Sequence, residues 1–331
     1  MTPPTSTTKK VNSKAKNKAS EALDMSVVNG EILANAGIKT KANRPKPAPK
    51  ASSKKGKGKG KGKKKKPVYS AKTADIHELY QLAVQSPDVD AEFLGRLYKR
   101  LRKKPARHLR EDFCGTGFLA SAWLRRNKNN TAEGFDIDEP TVAWGLERNF
   151  EGIDRVDERV DLQIKDVREP SQQTPDIRCA PNFSWQIFTE REDLKAYFEA
   201  CRKDLPDDGL FVIDIYGGPE AFDEMEEERK ISAGFTYVWE QVHYHPATGG
   251  YRCKIHFAFK DGTEVRSAYD YTWRLWNLPE VIDLLKEVGF SKVDSYWEGT
   301  DEDGESGNGV YRKSRLGENC PAWVTYIVAQ P

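Results

Sequence analysis

The sequence predicts an α/β fold: a parallel sheet covered by helices, an antiparallel aromatic insertion, and a basic tail outside the fold. Three observations carry this. Strand-like and helix-like segments alternate between about residues 107 and 216, which implies a parallel sheet with helices on both faces. After residue 218 the pattern changes to long alternating segments separated by hairpin signals. Residues 1–66 contain no aromatic ring, and all 35 aromatics lie beyond them, the first being Tyr69.

Charge divides the chain at the same point. The 331 residues carry a formal net charge of only +2. Residues 1–66 hold 19 Lys and Arg against three acids (Glu21, Asp24, Glu31), a net of +16. The remaining 265 residues hold 34 bases against 48 acids, a net of −14. A self-repelling segment without aromatics cannot bury enough apolar surface to offset its chain entropy. Residues 1–66 are therefore expected to be a disordered Lys-rich tail, and residues 67–331 one mildly acidic domain. A uniformly basic nucleic-acid-binding fold is excluded.

Within the tail, Leu23, Met25, Val28, Ile32 and Leu33 follow Ser20 in a modest apolar pattern, read as a transient helix. Alternating Gly and Lys from Gly56 to Lys63 give a flexible, extended stretch. Order is expected from about Thr73. A helix over 75–85 places Ile76, Leu79, Tyr80 and Ala83 on one face, and a second over 90–103 does the same with Phe93, Leu94 and Leu97. Strands follow at 107–113, 131–137, 160–164, 176–182 and 209–216, with helices at 117–127, 139–148 and 190–204. The insertion, about 219–275, is read as three antiparallel strands at 235–245, 251–259 and 264–274. A helix at 278–287 is closed by Gly289. Strands at 291–297 and 322–329, joined by an acidic Gly-rich loop, end the chain.

No apolar run approaches 18 residues, and the N-terminus has no apolar signal core. The five cysteines (114, 179, 201, 253, 320) are scattered and lack a CxxC, a poor disulfide framework and a poor zinc site. The expectation is an intracellular protein, cytoplasmic, or nuclear in a eukaryote, with no membrane partner and no metal.

The segment Glu111-Asp112-Phe113-Cys114-Gly115-Thr116-Gly117 stands between a strand and a helix. Glycines there let a backbone approach a ligand, and a helix N-terminus offers unpaired N–H groups. Gly115-x-Gly117-x-x-Ala120 fits a dinucleotide fingerprint, with Asp136 about 20 residues on. Alone, that match also fits a tight strand–helix turn. Further polar groups sit after successive strands: Asp136-Ile137-Asp138, Lys165-Asp166-Val167, Asn182-Phe183-Ser184-Trp185 and Asp214-Ile215-Tyr216. Ligands of open α/β sheets bind at those strand ends.

Together these residues, from about 75 to 331, resemble the class I S-adenosylmethionine-dependent methyltransferases. Leu284 to Phe290 before a strand and a final antiparallel strand completes the resemblance and separates it from nicotinamide dehydrogenases. It implies a Rossmann-like seven-stranded methyltransferase sheet, with the three-stranded insertion after the fifth strand, and S-adenosylmethionine as cofactor. It further implies that Glu111 holds the methionine amino group and that Gly115 and Gly117, with Cys114 between the motif's acid and its glycines, admit the methionine and ribose. Asp136 would take the ribose hydroxyls, Ile137 the adenine face, Asp166 the adenine amino group and the Val167 N–H a ring nitrogen. Asn182 would line the methyl-transfer cleft, and Tyr80 and Gln85 would cap the cofactor. Three departures stand out: Phe113 replaces the motif's first glycine, the first strand (Arg107-His108-Leu109-Arg110) is unusually polar, and the fourth contains Arg178 and Pro181.

Methyl transfer depends on in-line alignment, and a general base is needed only where the nucleophile carries a proton. Candidate side chains for the acceptor are Asn182, Tyr216, His243 and Tyr271, with His245 sharing a strand face with His243. The aromatic insertion suggests a lid over a small-molecule acceptor. The alternatives are an RNA or other nucleic-acid methyltransferase tethered by weak, sequence-independent contacts of residues 1–66, and a catalytically inactive nucleic-acid-associated module.

Overall fold

The computed structural model describes residues 69–300 and 307–331. The tail predicted for residues 1–66 lies outside them. Helix α1 (Ile76–Val84) begins where Asp75 accepts hydrogen bonds from the His77 and Glu78 amides, and it buries Leu79 and Ala83. Helix α2 (Pro87–Arg102) starts earlier than its apolar pattern, because Pro87 suits the first turn and lacks the N–H that would go unpaired there. Its first turn carries Asp88 and Asp90 and its last Lys99, Arg100 and Arg102, the order the helix dipole favours.

The Rossmann-like unit then follows as β1 (His108–Asp112), α3 (Phe118–Arg126), β2 (Thr131–Asp136), α4 (Glu139–Arg148), the single turn α5 (Val156–Arg159), β3 (Val160–Ile164), β4 (Ile177–Ala180), α6 (Arg191–Asp204) and β5 (Leu210–Gly217). After the second sheet, β6 (Met225–Lys230), β7 (Phe235–His245), β8 (Gly250–Phe259) and β9 (Glu264–Arg274), come α7 (Leu278–Glu287), β10 (Lys292–Thr300), β11 (Gly307–Lys313) and β12 (Trp323–Gln330). The large sheet has the order β11-β10-β12-β5-β4-β1-β2-β3. Strands β1 to β5 run parallel, while β12 is antiparallel to both β5 and β10.

Each sheet carries one strand more than the sequence predicts. In the large sheet, β11 joins the expected seven from within the supposed loop and pairs antiparallel with β10. Tyr311 is what holds it, packing its ring against Phe93 and Tyr326. In the second sheet, β6 pairs with β7 at the edge. Its sequence, Met-Glu-Glu-Glu-Arg-Lys, reads as a solvated charge run, yet charge is what protects an edge strand from pairing with other chains. The fourth strand also stops at Ala180, so Pro181 falls just beyond it and costs the sheet no hydrogen bond.

Three apolar clusters hold these layers. One lies between α2, α3 and one sheet face, around Phe93, Leu97, Trp123 and Leu109. Another covers the opposite face with α6 and α7, around Tyr197, Phe198, Phe211 and Leu285. The third joins the second sheet to α1 and the ends of β5 and β12. That third cluster places an aromatic wall opposite the C-terminal strand ends. Cys114, Cys179, Cys201 and Cys253 are buried and form no disulfide. No helix among the described residues is long and apolar enough to cross a membrane.

Candidate functional site

The loop from β1 to α3 is built from left-handed backbone at Phe113, Gly115 and Gly117, with φ of +55°, +51° and +63°. Phe113 occupies the first of these positions without being glycine, and its ring rests on Phe188 and Tyr197. The Cys114 amide donates to the Phe135 carbonyl at 3.1 Å, and the Gly117 amide to the Cys114 carbonyl at 2.8 Å. The buried Cys114 thiol is pushed well above its usual range by burial. Across the strand ends, the Gly115 amide donates to Asp136 Oδ2 at 2.8 Å, while Asp136 Oδ1 accepts from the Asp138 amide at 3.0 Å. Loop and acidic strand end are therefore one hydrogen-bonded unit.

Gly115 and Gly117 differ in what they make room for. A Cβ on Gly115 would meet only Thr141 Cγ2, at 3.8 Å, so its open side is free for a ligand. A Cβ on Gly117 would lie 2.6 Å from Leu162 Cδ1 and 3.2 Å from Phe150. Gly117 thus serves the loop's own packing. Ile137, next to Asp136, leaves 74% of its surface exposed, an apolar face that fits an adenine ring. The residues present accordingly fit an adenosine-bearing group.

Two acids expected to meet the cofactor have protein partners. Glu111 is buried, and its Oε2 accepts from the Ala120 amide at 3.0 Å, which satisfies one of the open N–H groups at the start of α3. Burial pushes this carboxyl well above its usual range. Asp166 receives the Arg168 guanidinium on both oxygens, at 2.9 and 2.6 Å, and Arg168 holds its carboxyl below the usual range.

Other residues position the loop without appearing in any motif. Gln81 on α1 donates to the Thr116 hydroxyl at 2.8 Å, and Asn149 to the Thr116 carbonyl at 2.9 Å. A Cβ on Gly145 would sit 2.0 Å from that carbonyl oxygen. An isolated glycine inside a helical pattern is the one sequence signal that points here. Trp144 donates to Asp75 Oδ2 at 2.7 Å, tying α4 to the start of α1.

The polar strands β1 and β4 are explained by one buried ionic layer. Asp112 accepts from Arg110 at 2.8 Å and from Arg178 at 2.7 Å, with all three side chains at 0% exposure. Arg178 also meets Asp204 at 3.0 Å, and Tyr197 donates its hydroxyl to Asp112 at 2.8 Å. Both guanidinium groups end on the Val167 carbonyl. The layer therefore fixes the Asp166–Val167 turn from beneath.

Beyond β4, an open cleft lies between the strand ends, α1 and the second sheet. Its walls include Tyr80, Phe183, Tyr237, Trp239, Tyr271 and Trp273. Asn182 lines it, with φ +60°. The Asn182 and Phe183 amides donate to the two oxygens of Asp214, at 2.8 and 2.9 Å. Asp90 also faces the cleft and accepts from the Tyr326 hydroxyl at 3.0 Å. Burial pushes both carboxyls up to about 7. Asp214 belongs to a strand-end group that the sequence marks, whereas Asp90 reads only as a first-turn helix residue.

The structure brings Tyr80, Asn182 and Tyr271 together here and leaves out the other acceptor candidates. Tyr216 is buried against Phe183 and Tyr251, off the cleft lining. The His243 and His245 rings lie 4.4 Å apart, tilted at 45°, at the turn end of the β7–β8 hairpin. Gln85 follows α1 and does not line the cleft. A group of Glu226, Glu240 and His256 has its ligand atoms within 4.8 Å of one another. There His256 Nδ1 accepts from the Ser267 amide at 2.6 Å, so Nε2 carries the proton that goes to Glu240 at 2.8 Å. That tautomer offers no lone pair to a metal.

No protein-family profile and no curated protein matches the sequence. Solved structures do. The amino pentose methyltransferase CalS10 of Micromonospora echinaspora, solved with S-adenosylmethionine bound, is 16% identical over 78% of this chain and 98% of its own, with a TM-score of 0.56. The sugar N-methyltransferase KedS8 of Streptoalloteichus is 17% identical over 87% of this chain and all of its own, TM-score 0.52. An S-adenosylmethionine-dependent methyltransferase of Clostridium acetobutylicum is 14% identical over 77% and 97%, TM-score 0.54. The fold is that of the S-adenosylmethionine-dependent methyltransferases. The strand order and the antiparallel last strand agree with that likeness.

Proposed function

We propose that this protein is an S-adenosylmethionine-dependent methyltransferase acting on a small molecule. The observation that carries this reading is the arrangement of two neighbouring features at the C-terminal ends of the strands. Gly115 and Asp136 form a hydrogen-bonded, ligand-accessible corner, and the aromatic cleft opens past Asn182 at the next strand end. When bound, S-adenosylmethionine supplies an electrophilic methyl group on a sulfonium. Asp136 would accept from the ribose hydroxyls with the lone pairs its backbone partners leave open. Ile137 would cover the adenine. Asp166 would serve the adenine amino group once it turns from Arg168, with Val167 held by the ionic layer. Asn182 and Tyr80 would line the junction with the acceptor. The cleft's aromatic walls exclude water and align the acceptor, which is where most of the rate of such a transfer arises.

Calorimetry with S-adenosylhomocysteine tests the reading. Binding by the parent and its loss in Asp136→Ala is the expected result. No heat from the parent, or equal affinity in the variant, overturns it. The second reading, a nucleic-acid methyltransferase, draws support from the +16 charge of residues 1–66 alone, since the rest of the chain carries −14 and would repel a phosphate backbone.

A further inference from the structure

The cleft beyond Asn182 combines aromatic walls with two carboxyl groups. It is walled by aromatic rings, with Tyr271 and Trp273 stacked 4.5 Å apart and Trp239 within 6.4 Å of Trp273. Asp214, 7% exposed, and Asp90 both present carboxylates to it. Among the described residues neither carboxylate forms an ion pair with Lys, Arg or His; their partners are two amides and one tyrosine hydroxyl. Covered carboxylates are normally paired with a cation or held neutral. Aromatic faces also attract a cation, most strongly where water is excluded.

Resting on the methyltransferase reading, we propose that the acceptor taken by this cleft is an amine that enters protonated, its ammonium held between Asp90 and Asp214 under the aromatic walls. Before transfer, the ammonium gives a proton to one of these carboxylates and becomes a neutral amine plus a carboxylic acid. The nitrogen lone pair then forms the N–CH₃ bond. The methyl–sulfur bond of the sulfonium donor breaks, its electron pair remaining on sulfur, and the product is an N-methyl ammonium. Burial suits both carboxyls to take and return that proton near neutral pH.

The test uses the full chain and the fluorescence of the cleft tryptophans. Benzylamine, protonated at pH 8, is compared with benzyl alcohol, its neutral counterpart. The ammonium is expected to bind at least about tenfold more tightly. In Asp90→Asn, which keeps an acceptor for Tyr326, the preference is expected to fall below about threefold while S-adenosylhomocysteine affinity is unchanged. Trp273→Leu is expected to weaken the ammonium by a similar factor through a different wall of the cleft. Equal binding of amine and alcohol by the parent overturns the proposal. So does a fall in S-adenosylhomocysteine affinity in Asp90→Asn with amine preference retained, because the acids would then hold the cofactor's own ammonium. Failure of the parent to bind S-adenosylhomocysteine counts against the methyltransferase reading alone, since the amine preference is read independently of it.

Discussion

Arg178 on β4 and Asp112 on β1 meet at 2.7 Å with neither side chain exposed to solvent. A parallel strand normally supplies an apolar side chain there. Here the pair is satisfied on every side, by Arg110 and Tyr197 on the acid and by Asp204 and the Val167 carbonyl on the base.

Removing Arg178 leaves the buried acids Asp112 and Asp204 short of one cation. Arg178→Met is expected to lower stability by about 3–5 kcal/mol in urea unfolding. It also removes a hydrogen bond to Val167, so folded protein at low temperature should bind S-adenosylhomocysteine more weakly. An unfolding midpoint near the parent's would show that the layer contributes little.

Two helical glycines should respond in opposite directions. Gly145→Ala places a methyl 2.0 Å from the Thr116 carbonyl oxygen. It is expected to destabilise by about 1–3 kcal/mol, or to displace the loop and weaken S-adenosylhomocysteine. Gly95→Ala meets only Trp123, at 3.6 Å and beyond, an ordinary contact. It is expected to stabilise by about 0.5–1 kcal/mol through reduced freedom of the unfolded chain. Thermal melts of the two variants check both.

Buried carboxyls set the pH response. Asp90 and Asp214 are raised to about 7, and Glu111 is raised well above its usual value, each mainly by burial. Between the ordinary carboxyl range and pH 7 the folded chain therefore holds protons that the unfolded chain has lost. The contribution of Asp90 and Asp214 to stability is full below that range and disappears as pH rises through about 7, with a slope of at most about 1.4 kcal/mol per pH unit for each group. Asp90→Asn should flatten this slope between pH 5 and 7 in urea titrations. An unchanged slope would place the proton uptake elsewhere.

The charge split predicts a separable tail. Removing residues 1–66 turns a +2 chain into a −14 one. The truncated protein should lose RNA retention and its salt dependence in filter binding while keeping S-adenosylhomocysteine affinity. Retention of both by the truncated form would remove the nucleic-acid reading.

Most of the large sheet was legible because β1 to β5 and their helices differ in hydrophobic period, a local property of the chain. The Gly115–Asp136 hydrogen-bonded corner was legible too, since both residues belong to a motif whose spacing is fixed by one strand–turn–helix–strand unit. β6 and β11 were not, because an edge strand of charges and a brief strand anchored by Tyr311 acquire their conformation from a partner strand and from packing.

Composition and periodicity alone give the charge and aromatic split at residue 66, the α/β class and the position of the Gly-rich turn. The packed structure shows that Gly117 serves packing while Gly115 stays open, and that His243 and Tyr216 lie away from the cleft. It alone brought Asp90 and Asp214, 124 positions apart, to one aromatic pocket. Side chains so distant in the chain meet through burial and strand order, which no local pattern records.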